Sequence, residues 1–388
     1  MKNWWHNTVK KFRPVHLITA FILFTAASIA GLTSAANNRD DVTIAFSGDI
    51  IMHGPVRSCA FRNNNKTPLG ASLNNGGFDH LFEKVAPIFK SSDMAVGNME
   101  FCIYPPFISN GTTFNCRPEI IPALKTAGFT LLTVANNHIL DQGIDGFRYA
   151  VRLLDSYVMP YVGAHVQQDR ARAGHIVTIN GIRIGFLAGT GVMNHEPPAR
   201  GFNINDIYDE KSMSADIASM RSRADFTVLL AHFGSEYVSS PAKKDRELLR
   251  RYCDRGVDLV VGHHPHLLQG KERYTAKDGR LCQIFYSLGN FISNQTWENL
   301  GSVRKKEDLS PQDSIIVQCI LSKEGNGITA RYEIIPVYCV NRPDPNGASP
   351  FFRDIRPVII KNEMTDSQSS EHAAFWTVRL KAISSVGL

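Results

Sequence analysis

Polar residues that can bind metal or transfer protons follow five apolar runs of this 388-residue chain. The clusters are Asp49, Asn98 with Glu100, Asn137 with His138, His232 with Glu236, and His263-His264-Pro265-His266. Carboxylate, amide carbonyl and neutral imidazole are a ligand set that suits Mn, Fe or Zn. Three imidazoles within four residues have few structural uses, and the His264-x-His266 spacing can present both rings to one ion. Together the clusters predict a metal-binding site that also handles protons.

Each cluster alone has an ordinary structural explanation. A lone aspartate after a strand is usually a turn or capping residue, and a lone histidine is usually a hydrogen-bonded core residue. Asn137 could serve only as a turn residue, and Asp141 only as a helix cap. What the clusters share is their position directly after predicted strands. In an open α/β sheet, ligands bind at the carboxyl ends of strands, where loops converge.

The elements that must position these residues alternate between strand and helix. We predict strands over 42–46, 93–96, 129–135, 226–231 and 257–261, and helices over 78–89, 118–127, 144–157, 212–223 and 241–254. Asn180-Gly181 predicts a type I′ turn that joins strands 175–180 and 182–188. The later runs 281–287, 314–321 and 328–338 are β-rich without helices between them. The pattern predicts an α/β layered core that closes with antiparallel strands.

The N-terminal segment predicts export. Residues 1–13 are basic, residues 15–32 are uncharged and mostly apolar, and Thr33-Ser34-Ala35-Ala36 suits signal-peptidase cleavage. An uncleaved membrane anchor is the alternative, because the apolar run approaches the shortest spanning helix. Residues 1–36 are thus a signal peptide or anchor, and the protein is expected in the periplasm or on the extracytoplasmic face of the membrane.

Charge argues against nucleic acid as a partner. The net charge of +6 comes from 42 basic and 36 acidic residues, and the first fourteen positions contain four of the cations and no acid. The remainder is nearly neutral, so a general affinity for nucleic acid loses its support. Among seven cysteines, Cys102 and Cys116 flank a Pro- and Gly-containing loop and are the pair we expect to form a disulfide.

Several segments, in this order, resemble the bacterial CapA family, which is associated with poly-γ-glutamate capsule synthesis. They span roughly residues 42–295 and are Ser47-Gly48-Asp49, Gly97-Asn98-Met99-Glu100, Ala135-Asn136-Asn137-His138 with Asp141, Ala231-His232-Phe233-Gly234, Gly262-His263-His264-Pro265-His266 and Ser287-Leu288-Gly289-Asn290. That family is similar in fold to calcineurin-like metallophosphoesterases. The resemblance implies a four-layer α/β/β/α sandwich over 42–340, with residues 341–388 as a C-terminal tail packed on it.

The resemblance also assigns roles to residues. It implies metal ligation by six of them: Asp49, Glu100 as the bridging carboxylate, Asn137, His232, His264 and His266. It implies that His138, oriented by Asp141 or Glu236, protonates the leaving group. The chain departs from the phosphoesterase pattern at Ile51, where an Asp-x-His motif would have its histidine, and at the Asn98/Glu100 pair; His53 is a candidate substitute. Arg117, Arg200 and Lys243 stay open as anion-binding residues.

The implied function is a metal-dependent hydrolase of phosphoesters in capsule or surface-polymer biosynthesis, which acts through a metal-activated water. One or two divalent ions are expected, Mn²⁺ first, with Fe or Zn as alternatives. Two other readings stay open: a non-catalytic membrane-anchored scaffold or polymer-binding partner of capsule synthesis and export proteins, and a metal-dependent γ-glutamyl amide hydrolase. An anionic polymer or phosphoester is the expected binding partner, together with the membrane through the N-terminal segment.

Overall fold

Two β-sheets face each other in the middle of the molecule. The computed structural model describes residues 40–64, 75–167, 174–198, 200–302, 304–325, 327–344, 349, 352–366 and 369–388, and residues 39–388 form one unit. The predicted leader, residues 1–36, lies outside the described residues. No helix in the described ranges combines the length and the apolar character needed to cross a bilayer.

The first sheet has eight strands. Seven follow the order β18-β17-β16-β1-β2-β5-β6, and β15 pairs with the end of β1. The strands are β1 (Val42–Ile50), β2 (Met94–Met99), β5 (Leu131–Thr133), β6 (Tyr161–Val162), β15 (Asn290–Ile292), β16 (Asp313–Glu324), β17 (Gly327–Pro343) and β18 (Arg353–Ile359). The pairs β1–β2, β2–β5, β5–β6 and β1–β15 are parallel, and β16 runs antiparallel to β1.

The second sheet has six strands in the order β13-β14-β12-β11-β9-β8. They are β8 (His175–Ile179), β9 (Ile182–Thr190), β11 (Phe226–His232), β12 (Leu259–His263), β13 (Leu268–Thr275) and β14 (Leu281–Leu288). The four central strands are parallel, and β8 and β13 are antiparallel edges. Two small pairs complete the β structure: β3 (Cys102–Ile103) with β4 (Asn115–Cys116), and β7 (Ala164–His165) with β10 (Asn203–Ile204).

Three apolar cores separate four layers. Ile44 and Phe46 of the first sheet meet Val228 and Val261 of the second in the middle core. The outer face of the first sheet is covered by α1 (Gly54–Arg62), α2 (Asp79–Phe82), α3 (Ala86–Ser91), α4 (Ile120–Ala127) and α5 (Gly143–Ser156). The outer face of the second is covered by α6 (Glu210–Arg221) and α7 (Lys243–Arg255). The observed order is therefore the expected α/β/β/α, and strands buried on both faces explain the continuous apolar runs.

The C-terminal segment is tied to the first sheet. After β18 come α8 (Ile360–Thr365) and α9 (Ser370–Ser384), and Trp376 of α9 packs into the middle core. Arg379 of α9 forms a buried ion pair of 2.6 Å with Asp313 at the start of β16. Removing one partner of such a pair leaves a buried charge uncompensated, which destabilises a fold by about 3–5 kcal/mol.

Two local expectations were wrong. The helix predicted over 78–89 is two short helices, because Pro87 lacks the N–H that a continuous helix would need there and is tolerated only in the first turn of a helix, where α3 places it. The Cys102–Cys116 disulfide does not form. Cys102 pairs in register with Asn115 and Ile103 with Cys116, so the two thiols project to opposite faces of the small sheet. The disulfide joins Cys253 to Cys282, and Cys102 and Cys116 are free and buried.

Candidate functional site

Parallel strands of both sheets end at one place. Asp49 at the end of β1 lies opposite Asn98 of β2, and His232 at the end of β11 lies opposite His263 of β12. The register of β1 shifts between Phe46 and Asp49, a local irregularity of the kind found beside functional sites. The strand ends therefore bring the five clusters together.

Asn98 connects the two carboxylates. Its Nδ2 donates to Asp49 Oδ1 at 2.8 Å and to Glu100 Oε2 at 3.2 Å. Its own Oδ1 accepts a hydrogen bond of 3.2 Å from Asn136 Nδ2. Two acidic side chains are thus held side by side by an amide network, which fixes their orientation without supplying a positive charge.

The imidazoles complete two overlapping groups of potential metal ligands. Asp49, Glu100 and His232 form one, and Glu100, His264 and His266 form the other; within each group the ligand atoms lie within 4.8 Å of one another. Glu100 belongs to both, which is the arrangement expected of a bridging carboxylate. His232 Nε2 lies 2.9 Å from Asn137 Oδ1, so the sixth predicted ligand adjoins them.

Unpaired buried atoms show that the site fits a cation. All six predicted ligands are at most 3% exposed. Glu100 Oε1 and His264 Nδ1 have no hydrogen-bond partner among the described residues. A buried polar atom without a partner is unfavourable by about 1–3 kcal/mol, and more when it carries charge. A divalent cation would give both atoms a partner.

The shifts of pKa agree with this interpretation. Burial, with the charge of Asp49, raises the pKa of Glu100 well above its usual value. Burial also opposes ionisation of Asp49, but contact with His266 and the charge of His263 lower its pKa overall. Burial, reinforced by the charges of neighbouring histidines, holds the pKa of His232 well below its ordinary value and that of His264 at about 3. The rings are therefore neutral, which is the form that binds metal.

His138 lies beside the predicted metal ligands, and the carboxylate of Asp141 contacts its ring. Its Nδ1 is 2.8 Å from Asp141 Oδ2, and Asp141 also accepts a hydrogen bond of 2.6 Å from the Phe114 N–H. The Phe114 and His138 ring centroids are 4.1 Å apart. This partner and this packing fix the ring, so the structure places Asp141, and not Glu236, in hydrogen-bond contact with His138.

Asn194 is a site residue that sequence reasoning missed. Its Nδ2 lies 3.3 Å from His138 Nδ1, and its Oδ1 accepts a hydrogen bond of 3.1 Å from Asn137 Nδ2. The neighbouring His195 Nε2 is 3.6 Å from Asp141 Oδ1. The signal available was again a strand end, because β9 stops at Thr190; we interpreted that run only as half of a hairpin.

The remaining candidates occupy different surroundings. Ile51 is fully buried in the outer core of the first sheet, whereas His53 Nδ1 accepts a hydrogen bond of 3.3 Å from the Asn294 N–H. Burial and the charge of His266 lower the pKa of His53 to about 3, so it is a neutral neighbour of the site. Arg117 stacks on Phe61 and Lys243 pairs with Glu247. Arg200 is exposed. None of the contacts described for these three cations reaches the predicted ligands.

Comparison with known proteins gives matches over most of the chain. Residues 43–295 match the bacterial capsule synthesis protein family PGA_cap. The capsule biosynthesis protein CapA of Bacillus anthracis is 28% identical over 339 residues, which cover 83% of this chain and 73% of that protein. The PGA biosynthesis protein CapA of Bacillus subtilis (strain 168) is 30% identical over 328 residues, covering 82% and 78%.

A solved structure gives a weaker match. The 5′-nucleotidase from Candida albicans SC5314 aligns with 89% of this chain and 59% of its own, at 11% identity and a TM-score of 0.38. This likeness is too low to carry a statement about activity.

Proposed function

The chain belongs to the bacterial capsule synthesis protein family, and from that membership we propose that it is an exported hydrolase of phosphoesters, dependent on a divalent metal, in surface-polymer biosynthesis. The polymer we propose is poly-γ-glutamate, which the resemblance of the sequence to the CapA family implies and with which the name of the Bacillus subtilis relative, PGA biosynthesis protein CapA, agrees. Residues 1–36 would deliver the protein to the outer side of the cell membrane as a signal peptide or anchor.

One observation carries the proposal of a metal-dependent hydrolase. Two buried carboxylates, one amide and three imidazoles from both sheets converge on one place, with unpaired ligand atoms among them. A structural role alone would leave these buried atoms without partners, which is unfavourable. Buried clusters of titratable groups at strand ends are the usual setting of catalysis.

The residues present suit a divalent cation. Asp49, Glu100, Asn137, His232, His264 and His266 would hold it, and the sharing of Glu100 between two triplets supports two ions rather than one. Mn²⁺ is the ion we propose, with Fe or Zn as alternatives, because oxygen and imidazole donors dominate. Bound there, the metal would act as a Lewis acid toward an anionic ester and activate water for hydrolysis.

His138 and Asp141 provide the proton for the leaving group. With Nδ1–H donated to Asp141 at 2.8 Å, the protonated ring carries its transferable proton on Nε2. The Asp141 carboxylate fixes the plane of the ring. A positioned general acid of this kind typically contributes about 10²–10⁴-fold to rate.

A second candidate function is favoured by the deep burial of the site. The six ligands are at most 3% exposed, and His138 is 5% exposed. A bound ion in such a place could stabilise the ends of both sheets without reaching a substrate. On this alternative the protein is a membrane-anchored scaffold, or a polymer-binding partner of capsule synthesis and export proteins.

Two variants of the purified full chain test the hydrolase. After loading with Mn²⁺, metal content and turnover of phosphomonoesters and phosphodiesters are measured for the wild type, His138→Gln and Asp49→Asn. We expect one to two ions per chain and turnover in the wild type. His138→Gln should keep the metal and lose about 10²–10⁴-fold in kcat. Asp49→Asn should lose the metal itself.

The matched controls are His372→Gln and Asp155→Asn, since both side chains lie on exposed helix surfaces away from the site. Metal without turnover on any phosphoester would reject the phosphoesterase and make γ-glutamyl polymers the next substrates to assay. If His138→Gln were fully active, its role as the acid would be wrong.

A further inference from the structure

A cleft of about 1280 Å³ opens between the two sheets at the end opposite the candidate site. It is lined by Phe226 and Leu281, where β11 and β14 begin, and by the hairpin that joins β16 to β17. The candidate site is built from the carboxyl ends of the strands, so this cleft, which we call the inter-sheet cleft, is a separate place on the molecule.

The lining of the inter-sheet cleft is strongly cationic. It contains two carboxylates, Asp225 and Asp258, against six cations, namely Arg221, Lys271, Arg273, Arg280, Lys323 and Arg331. The carboxylates are already paired: Asp258 with Arg280 at 2.6 Å and Asp225 with Arg183 at 2.6 Å. Beyond the basic leader the chain is nearly neutral, with 38 basic and 36 acidic residues, so this concentration of charge is local.

Three of the cations form no close ion pair. Among the described residues, the side chains of Lys271, Arg273 and Lys323 make no ion pair within 4.0 Å and no side-chain hydrogen bond, although the charge of Lys323 helps to lower the pKa of Asp225. Lys271 pairs in register with Phe285, and Arg273 with Gln283, so both cations lie on the face of the second sheet that carries Phe285 into the middle core. All three side chains are exposed, so water solvates them, and several like charges around one cleft produce a positive potential that attracts an anion.

The opposite wall is apolar and incompletely covered. Ile328, Ala330, Tyr332 and Ile334 alternate along the first half of β17 and pack partly buried against the middle core. This half of β17 is paired on one side only, because β18 begins to pair at Val337. The cleft therefore offers cations on one wall and methyl, methylene and ring carbons on the other.

We propose that the inter-sheet cleft binds a segment of polyglutamate chain, with its carboxylates on Lys271, Arg273 and Lys323 and its methylene groups on the β17 wall. Lys271 and Arg273 are two residues apart on one strand, about 7 Å, which suits a chain that repeats its carboxylate at short intervals. In a γ-linked chain the γ-carboxyl forms the amide and the α-carboxyl stays free, with a pKa of about 3.5, so the chain is fully anionic at neutral pH. The apolar wall favours such a chain over a polyanion without methylene groups.

Polyglutamate as the ligand of the inter-sheet cleft rests on the proposed function. Binding there does not depend on the hydrolytic chemistry of the candidate site. A cationic edge strand also has an ordinary use, since inward-pointing charges on β13 would prevent edge-to-edge association. The two roles predict different results, because protection of an edge requires no affinity for polymer.

Binding of fluorescein-labelled poly-γ-glutamate to the purified full chain, followed by fluorescence anisotropy at low salt, tests the proposal. We expect saturable binding that weakens as salt rises. Lys271→Glu with Arg273→Glu should weaken it by about tenfold or more, because two attractions become repulsions. The matched control is Lys84→Glu with Lys90→Glu, which makes the same change in net charge at exposed positions outside the cleft.

Three outcomes would overturn the proposal: no binding by the wild type, equal weakening by both double variants, or equally tight binding of a polyphosphate of the same charge. A double variant that only began to self-associate would show that edge protection is the role of these cations. Metal content and phosphoester turnover should be unchanged in Lys271→Glu/Arg273→Glu. A wild type without turnover would reject the hydrolase and leave the binding result intact.

Discussion

Asp49 and Glu100 are two buried carboxylates whose pKa values move in opposite directions. Each is fully buried, and Asn98 donates a hydrogen bond to both. The charge of Asp49 adds to burial in raising the pKa of Glu100, because two like charges at this distance cannot both ionise without a cation. His232 and His264 supply no such charge, since burial lowers their pKa and keeps them neutral. The missing positive charge is therefore the property that points most directly to metal.

Two of the histidines also have an unusual backbone. His264 has φ of 93° and His266 has φ of 57°, both in the left-handed region that L-residues rarely adopt. Such conformations are unfavourable by about 1–3 kcal/mol each and persist where the surrounding structure enforces them. Here they present the two rings of one His-x-His segment to Glu100.

Asn194 provides the test at the residue scale. Asn194→Ala removes the amide that contacts both His138 and Asn137, so we expect kcat to fall about 10–100-fold through loss of orientation. The measurement is phosphoester turnover beside metal content, which should change less than kcat. Glu196→Ala is the control, because Glu196 is exposed on the same loop. Equal activity of the two variants would mean that Asn194 does not position the acid.

The candidate site was largely predictable from the sequence, and Asn194 shows where prediction stops. The eight predicted residues each lie after a predicted strand and near other metal-binding residue types, so local patterns identify them. Asn194 also follows a strand, since β9 ends at Thr190, but its loop carries none of the segments that resemble the family. Only the tertiary structure brings that loop against His138, because β9 and β5 belong to different sheets.

At the scale of elements, the close approach of β1 to the β14–β15 connection sets the position of Asp49. The Asp49 N–H donates to Gly289 O at 3.0 Å. A Cβ at Gly48 would lie 2.0 Å from that same oxygen, so no larger residue fits unless the two segments separate.

Gly48→Ala should therefore displace the end of β1. We expect about 1–3 kcal/mol of destabilisation from overpacking, and a loss of bound metal as Asp49 moves. Chemical unfolding and metal content measure the two effects. Gly54→Ala is the matched control, because nothing lies within 4 Å of a Cβ at that position. Similar behaviour of the two variants would mean that this contact does not position Asp49.

His80 of α2 links the outer helical layer to β18, and this link depends on pH. Burial disfavours the protonated ring, but the neighbouring Asp354, Cys59 and Glu83 outweigh it and raise its pKa to about 10. The ring nitrogens lie 3.8 Å from Asp354 and 3.5 Å from Glu83. Because the folded pKa exceeds the unfolded value of about 6.5, the stabilisation is complete below pH 6.5 and is lost as pH rises through about 10.

His80→Gln should lower the free energy of unfolding by on the order of 1–3 kcal/mol at pH 6, allowing for solvent screening. The difference from wild type should shrink steadily between pH 7 and pH 10.5. Urea unfolding across this range measures it, with His372→Gln as an exposed control. A difference that stays constant with pH would show that His80 acts through packing and not through its charge.

Individual elements were more predictable than their arrangement. The Asn180-Gly181 hairpin was confirmed, with φ of 48° and 72° at the two turn residues, because the turn type is encoded locally. The assignment of strands to two sheets was implied by the family resemblance and not by periodicity. A strand such as β15, three residues long, gives no periodic signal, and its pairing with β1 arises only from tertiary packing.

On the scale of the whole molecule, the Cys253–Cys282 disulfide constrains the unfolded chain. It joins the last turn of α7 to the start of β14 across a sequence separation of 29 residues. Closing a loop of this length stabilises the fold by about 3–4 kcal/mol in the chain-entropy treatment. Such a bond forms in the oxidising compartments to which the predicted leader would direct the chain.

The double variant Cys253→Ala/Cys282→Ala should therefore unfold at lower denaturant, by about 3–4 kcal/mol in free energy. Cys102→Ala/Cys116→Ala is the matched control, because it removes two buried free thiols and opens no loop. The difference in free energy of unfolding between this control and the wild type should come from packing alone, so it should be the same with and without reductant. Reductant itself should destabilise both the wild type and this control, because both have the Cys253–Cys282 bond. It should leave Cys253→Ala/Cys282→Ala unchanged, since only that variant lacks the bond. Peptide mapping of the purified protein without reductant would place the bond directly. A Cys253→Ala/Cys282→Ala variant still sensitive to reductant would mean that a different bond stabilises the chain. A mapped Cys102–Cys116 bond would contradict the register of β3 with β4, which turns those two thiols to opposite faces.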